Sequence, residues 1–134
     1  HRFRMFTSSD GGSNYDDSSA NYAYGKKNQS TSSAGISQSS DSDRIEFMGG
    51  IDTTGSGADG IATGYVQMPD PSATTSYTRL FFEMSIGSTS SVVYIVKGLY
   101  VRKENAVVDA VRFSWASEDF ADAGAIRFYG MKKA

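Results

Sequence analysis

Leucine occurs only twice in this chain, at Leu80 and Leu99, against seven Ile, eight Val, eight Phe, eight Tyr and nine Thr. Leucine is the large apolar residue that helices tolerate best, whereas β-branched and aromatic side chains fit a pleated, half-buried surface. The bias excludes a helical bundle and predicts an all-β fold. With 134 residues, 39% of them apolar, the chain has enough material for one core and one domain.

Period-two patterns mark the strands. Phe3 and Met5 alternate with Arg2 and Arg4, and short strands are expected at Tyr22–Tyr24, Arg44–Met48, Ile61–Met68, Thr78–Ile86, Val111–Trp115 and Ala125–Tyr129. Val92–Val96 and Leu99–Arg102 read as one long strand with a bulge or a bend at Lys97-Gly98. Met68-Pro69-Asp70-Pro71 ends a strand, because proline lacks the donor a ladder needs. The segment Gln29 to Ser42 holds seven serines in fourteen residues and reads as a long loop inside the domain. Ala116 to Ala123 is the one helix candidate, and Gly124 ends it within two turns. Strands at such spacing, separated by Gly, Ser and Pro turns, predict an antiparallel β-sandwich of jelly-roll type over residues 1–134.

The formal net charge of −2 leaves no electrostatic footprint for nucleic acid or anionic lipid, so neither is an expected partner. No apolar run approaches the 18 or so residues of a membrane-spanning helix, and no membrane insertion is expected. The absence of cysteine excludes disulfides, thiolate metal sites and a cysteine nucleophile, and the single histidine, His1, leaves no Ser-His-Asp triad to assemble.

Acidic, glycine-rich clusters at Asp10–Asp17, at Asp41 and Asp43, and at Asp52 and Asp59 carry the kind of oxygen ligands that a structural calcium ion takes, but no cofactor is expected. None has EF-hand spacing, and Asp, Asn and Gly are equally the residues of tight turns. Glycoside hydrolysis needs two carboxylates across a sugar bond. Glu46 and Glu83 fall at alternating strand positions that face solvent in any sandwich, and no Gly-x-Ser-x-Gly elbow occurs, so no catalytic residue is assigned and the chain is not expected to be an enzyme. Gly49–Gly57 lacks the Lys-Ser/Thr ending of a phosphate loop. Aromatic rings with a wet polar tip can stack on sugars, and the candidates for such exposed platforms are Tyr15, Tyr22, Tyr24 and Trp115.

The order of motifs resembles the β-sandwich domains of tail-fibre and other virion proteins of tailed bacteriophages. Arg4 leads into Thr7-Ser-Ser-Asp10-Gly11-Gly12-Ser13, whose Asp10–Ser13 part reads as a hairpin turn with glycines that accept positive φ; Tyr15-Asp16, Tyr22-Ala-Tyr24 and a serine-rich segment follow; Gly64-Tyr65-Val66 runs to Pro69 and Pro71; Gly98-Leu-Tyr100 comes next. A closing signature runs from Phe120 through Gly124, Ile126, Arg127, Tyr129, Gly130 and Met131 to Lys132. The resemblance spans nearly the whole chain. It implies a virion structural protein, a fibre domain that presents its loops to a bacterial surface glycan, associated as a homotrimer and with other virion proteins. A capsid-decorating or tail-joining protein without a ligand, and a polysaccharide depolymerase module, are the alternatives. Members of this group usually carry further strands before the Arg strand, on which this chain starts directly. The chain is accordingly expected to be the C-terminal part of a longer one, with its first sheet completed by another copy or by upstream residues.

Overall fold

The computed structural model describes residues 3–18, 20–47, 62–87, 93–115 and 125–130. Eight strands follow in order: β1 (Phe3–Ser8), β2 (Tyr22–Ser30), β3 (Ala34–Ser42), β4 (Ile45–Glu46), β5 (Ala62–Gln67), β6 (Arg79–Gly87), β7 (Val93–Arg102) and β8 (Ala110–Trp115). They form two antiparallel sheets, one of three strands ordered β4-β1-β8 and one of five ordered β3-β2-β7-β6-β5. The fold is the all-β sandwich expected from the residue bias. β1 pairs with β8 and β2 with β7, whereas β3 and β5 pair with their chain neighbours β2 and β6.

β6 shows why the pattern works. Leu80, Phe82, Met84 and Ile86 are buried while Arg79, Phe81, Glu83 and Ser85 face out, in strict alternation. Val96 and Tyr100 of β7, Tyr22 of β2, Met5 of β1, Ile45 of β4 and Phe47 join them in one core. Ring contacts tie the sheets together: Phe47 lies 5.3 Å from Phe82 edge-on and 5.5 Å from Phe3, which stacks on Phe113 at 5.6 Å.

Four local expectations are corrected. The serine segment is a β-hairpin rather than a long loop. β2 and β3 pair from Tyr22–Ser42 to Gln29–Ala34, and the turn is closed by serine itself: Ser30 N–H donates to Ser33 O at 2.7 Å, and Ser30 Oγ accepts the Ser32 and Ser33 N–H groups. β7 carries no bulge at Lys97-Gly98, since its register with β2 and β6 runs unbroken; the irregularity is on β2–β3, between Tyr22 and Tyr24. Gly98 is instead a close approach, where an added Cβ would lie 2.7 Å from the Lys26 Cβ and press on the Gly25 carbonyl. Residues 125–130 are not a strand but irregular and exposed, with Phe128 touching Phe113 at 6.1 Å. Asp10–Ser13 is a turn with Gly11 and Gly12 at φ of 72° and 85°, yet it does not join two paired strands: Asp16 N–H returns to Thr7 O, and β1 pairs with β4 and β8. The helix candidate at 116–123 lies outside the described residues.

Candidate functional site

A three-stranded sheet cannot cover a five-stranded one. β4, at the margin of the narrower sheet, has only two residues, and the inner face of β2 and β3 beside it is left open as a cleft of about 310 Å³. The floor comes from the inward positions of β2, β3 and β7: Tyr24, Lys26, Ser39 and Tyr100. The rim comes from the β3–β4 turn and β4, chiefly Asp41, Asp43, Arg44 and Glu46.

Tyr100 fixes β4 over this floor. Its hydroxyl accepts the Glu46 N–H and donates to the Glu46 carbonyl, both at 2.9 Å, and burial, the largest cause, pushes its pKa well above the ordinary tyrosine range. Lys26 is buried along its stem, brings Nζ to 3.3 Å from the Glu46 carbonyl, and sits over the Tyr24 ring at 5.1 Å. The half-buried Tyr24 ring also leans on Tyr100, 5.0 Å away. Arg44 Nε reaches Asp43 at 3.0 Å and Glu46 at 3.8 Å. Asp41 takes the Lys103 ammonium at 2.7 Å, and this hydrogen bond, ahead of the one from Ser40, lowers its pKa. The result is an open depression in which carboxylates, one ammonium and one guanidinium alternate around a tyrosine ring. Asp41, Asp43, Arg44 and Glu46 each have an opposite neighbour, so the cleft offers hydrogen bonds of both senses.

The four aromatic candidates separate. Tyr24 lies in the cleft. Tyr22, two positions before it on the same face of β2, is fully buried and is corrected from an exposed platform to a core residue. The reason is polar: its hydroxyl accepts the Thr7 N–H at 2.9 Å and pairs with Thr7 Oγ1 at 2.9 Å under the β1 sheet, and burial, the largest cause, pushes its pKa up to about 12. Tyr15 is half-buried and its ring is occupied, with the Arg112 guanidinium 4.4 Å from it and 4.7 Å from Phe6. Trp115 ends β8 opposite Phe3, and its side chain lies outside the described part. Sequence reasoning missed Lys26, Arg44 and Tyr100. The signal for Lys26 was the spacing Tyr22-x-Tyr24-x-Lys26, which puts all three on one face of a strand once β2 is allowed to continue past Tyr24.

The acidic clusters turn to other partners. Asp10 accepts from Ser8 Oγ, Asn14 N and Asn14 Nδ2, and the Asn14 backbone bond is the first of the causes that hold its carboxyl near 2. Asp16 accepts from Thr7 Oγ1 at 2.5 Å and forms an ion pair at 2.7 Å with Arg102, which is fully buried. Arg102 also meets Glu104 at 2.6 Å and donates to the Ala106 carbonyl at 2.9 Å. Among the described residues no group of three or more His, Cys, Asp or Glu is arranged to hold a metal ion. Asp52 and Asp59 lie outside them. No family model, curated protein or solved structure matches the chain.

Proposed function

We propose that this domain is a structural module of a tailed-phage virion, a fibre domain in a homotrimer, and that the Tyr24 cleft takes a glycan of the bacterial surface. The observation that carries the binding reading is the cleft itself. It has the volume of a small-ligand site, yet it is lined by charged and hydroxyl side chains rather than by the apolar walls of a drug-like pocket. A hydroxyl-rich ligand suits such a lining, since sugar hydroxyls both donate and accept. Asp41, Asp43 and Glu46 supply acceptors, Lys26 and Arg44 supply donors, and Tyr24 adds a ring edge and a phenol. The virion assignment rests on the order of sequence motifs, and localisation to the particle follows from it.

A glycan array covering bacterial surface polysaccharides, followed by titration calorimetry on any hit, tests the reading. Binding is expected to fall at least about tenfold in Tyr24→Ala and Asp43→Ala, in line with loss of one or two charge-assisted hydrogen bonds, with the fold kept. An array without hits, or hits that both variants retain, would exclude this cleft as the site. Release of new reducing ends from a bound polysaccharide would move the assignment to a depolymerase module.

A further inference from the structure

Among the described residues no layer covers the outer face of the five-stranded sheet, and several of its exposed side chains are large and apolar. Tyr65 on β5, Phe81 on β6, and Val93 and Ile95 on β7 are 54%, 43%, 48% and 41% exposed, and Leu99 and Val101 beside them are partly exposed. Large apolar side chains left exposed together on one sheet face mark an interaction site.

Three of its charges fall in one row, and a fourth, Arg79, lies four residues away on β6 opposite Val101. The registers align Tyr65 with Glu83, Glu83 with Lys97, and Lys97 with Lys27, so an acid on β6 stands directly beside a lysine on β7, with a second lysine beyond it on β2. Phe81 and Leu99 form the row on one side, Ser85 and Ile95 the row on the other. No salt bridge joins Glu83 to either lysine among the described residues, although Glu83 and Lys97 are cross-strand neighbours.

We infer that this face packs against the same face of a second copy of the chain, the β5–β6 half of one against the β7–β2 half of the next. A rotation axis parallel to the strands and passing over the β6–β7 boundary keeps rows level and exchanges columns. It lays Glu83 against the lysine row of the neighbour, Phe81 against Leu99, and Ser85 against Ile95. An acid beside a base in one row is its own complement under such a rotation, which is the argument for a like copy over an unrelated protein. The geometry holds for a ring of two or of three copies. Only the number three rests on the fibre reading above, and the surface lies on the opposite side of the sheet from the Tyr24 cleft, so the two assignments fail separately.

Because the chain has no cysteine, single introduced cysteines report on the contact cleanly. Chains carrying Ser85→Cys, mixed with chains carrying Ile95→Cys and oxidised, are expected to give a crosslinked heterodimer in far greater yield than chains carrying a control cysteine at Ser32→Cys mixed with either. In sedimentation velocity the unmodified chain is expected to associate. Glu83→Lys should move the midpoint about tenfold or more to higher concentration, and Glu83→Lys with Lys97→Glu should restore it. Circular dichroism of each variant verifies that the sheet is intact. A chain that stays monomeric through the hundred-micromolar range, or crosslinking no better than the control, overturns the inference. So does association that ignores the Glu83 reversal.

Discussion

Tyr22 and Tyr24 sit two residues apart on one face of β2, and their surroundings are opposites. Around Tyr22 the narrower sheet covers the wider one, and the polar groups are locked to one another: Tyr22 to Thr7, Thr7 to Asp16, Asp16 to Arg102. Around Tyr24 the narrower sheet has run out, and comparable groups stand at an open surface with their bonds made across the rim. The chemistry of the side chains hardly differs between the two regions. What differs is whether a second layer lies over them. At one end polar groups specify how the 9–17 loop and the 103–109 loop dock on the sandwich, and at the other they are available to a ligand.

Breaking the locked end has the largest expected effect. Asp16→Ala leaves the fully buried Arg102 with only the half-exposed Glu104 as counter-ion and removes the acceptor of Thr7 Oγ1. Loss of one partner from a buried pair costs about 3 kcal/mol or more, chiefly from the charge left behind. Arg102→Met is expected to cost less, because it takes the buried charge away and keeps the packing of the stem. Urea denaturation of both variants checks the order, and equal losses would mean that the pair is worth no more than its hydrophobic stem.

Next in size is an alkaline limb in the stability profile. Tyr22 has a folded pKa of about 12 against an unfolded value of 10.0. The folded state holds this proton more tightly, so its contribution is full below pH 10 and is lost as pH rises through 12. The two-unit difference corresponds to about 2–3 kcal/mol between those limits. Tyr22→Phe is expected to flatten that part of the profile while costing about 1 kcal/mol at neutral pH for the lost Thr7 bonds. Tyr100, also raised, keeps part of the limb in the variant. Unfolding midpoints measured from pH 8 to 12 give the comparison, and an unchanged alkaline slope would show that Tyr22 is not desolvated in solution.

How far these regions were legible in the sequence depended on whether burial left a pattern. β6 reads at sight because every second residue is buried and apolar. β3 does not, because it is an edge strand whose stability comes from the backbone ladder with β2, and its own side chains are mostly small or polar, with none buried. Composition describes side chains, and a strand held by its main chain escapes it. The same limit applied to the tyrosines. Exposure depends on which sheet is wider, a property of strand pairing that no window of residues carries, so Tyr22 and Tyr24 looked equivalent. Residues Ala125–Tyr129 erred the other way: Ile126 and Phe128 alternate as in a strand, yet the backbone does not join the edge of β8. Alternation states which faces a strand would have, and says nothing about whether a partner edge is within reach.

The smallest expected effect distinguishes the two regions through a pair of exposed carboxylates. Asp10, in the loop that the locked end holds, is acidic first because the Asn14 backbone N–H donates to it. Asp41, on the cleft rim, is acidic first because the Lys103 ammonium does. Neither is expected to change the unfolding midpoint measurably when its partner is removed, since exposed pairs contribute little. Their titrations should nonetheless part company. Lys103→Ala returns the Asp41 pKa toward its ordinary value of 3.8 and leaves Asp10 near 2. Raising the salt concentration to about 1 M, where the screening length is about 3 Å, shifts Asp41 in the same direction with Lys103 still present, while the bond from a fixed backbone amide to Asp10 is little affected. Carboxyl-carbon chemical shifts followed from pH 2 to 6 resolve both groups in one experiment. If Asp10 moved with salt as far as Asp41, the loop would be held by mobile charge like the rim, and the contrast between a locked and an open end of β2 would be one of burial only.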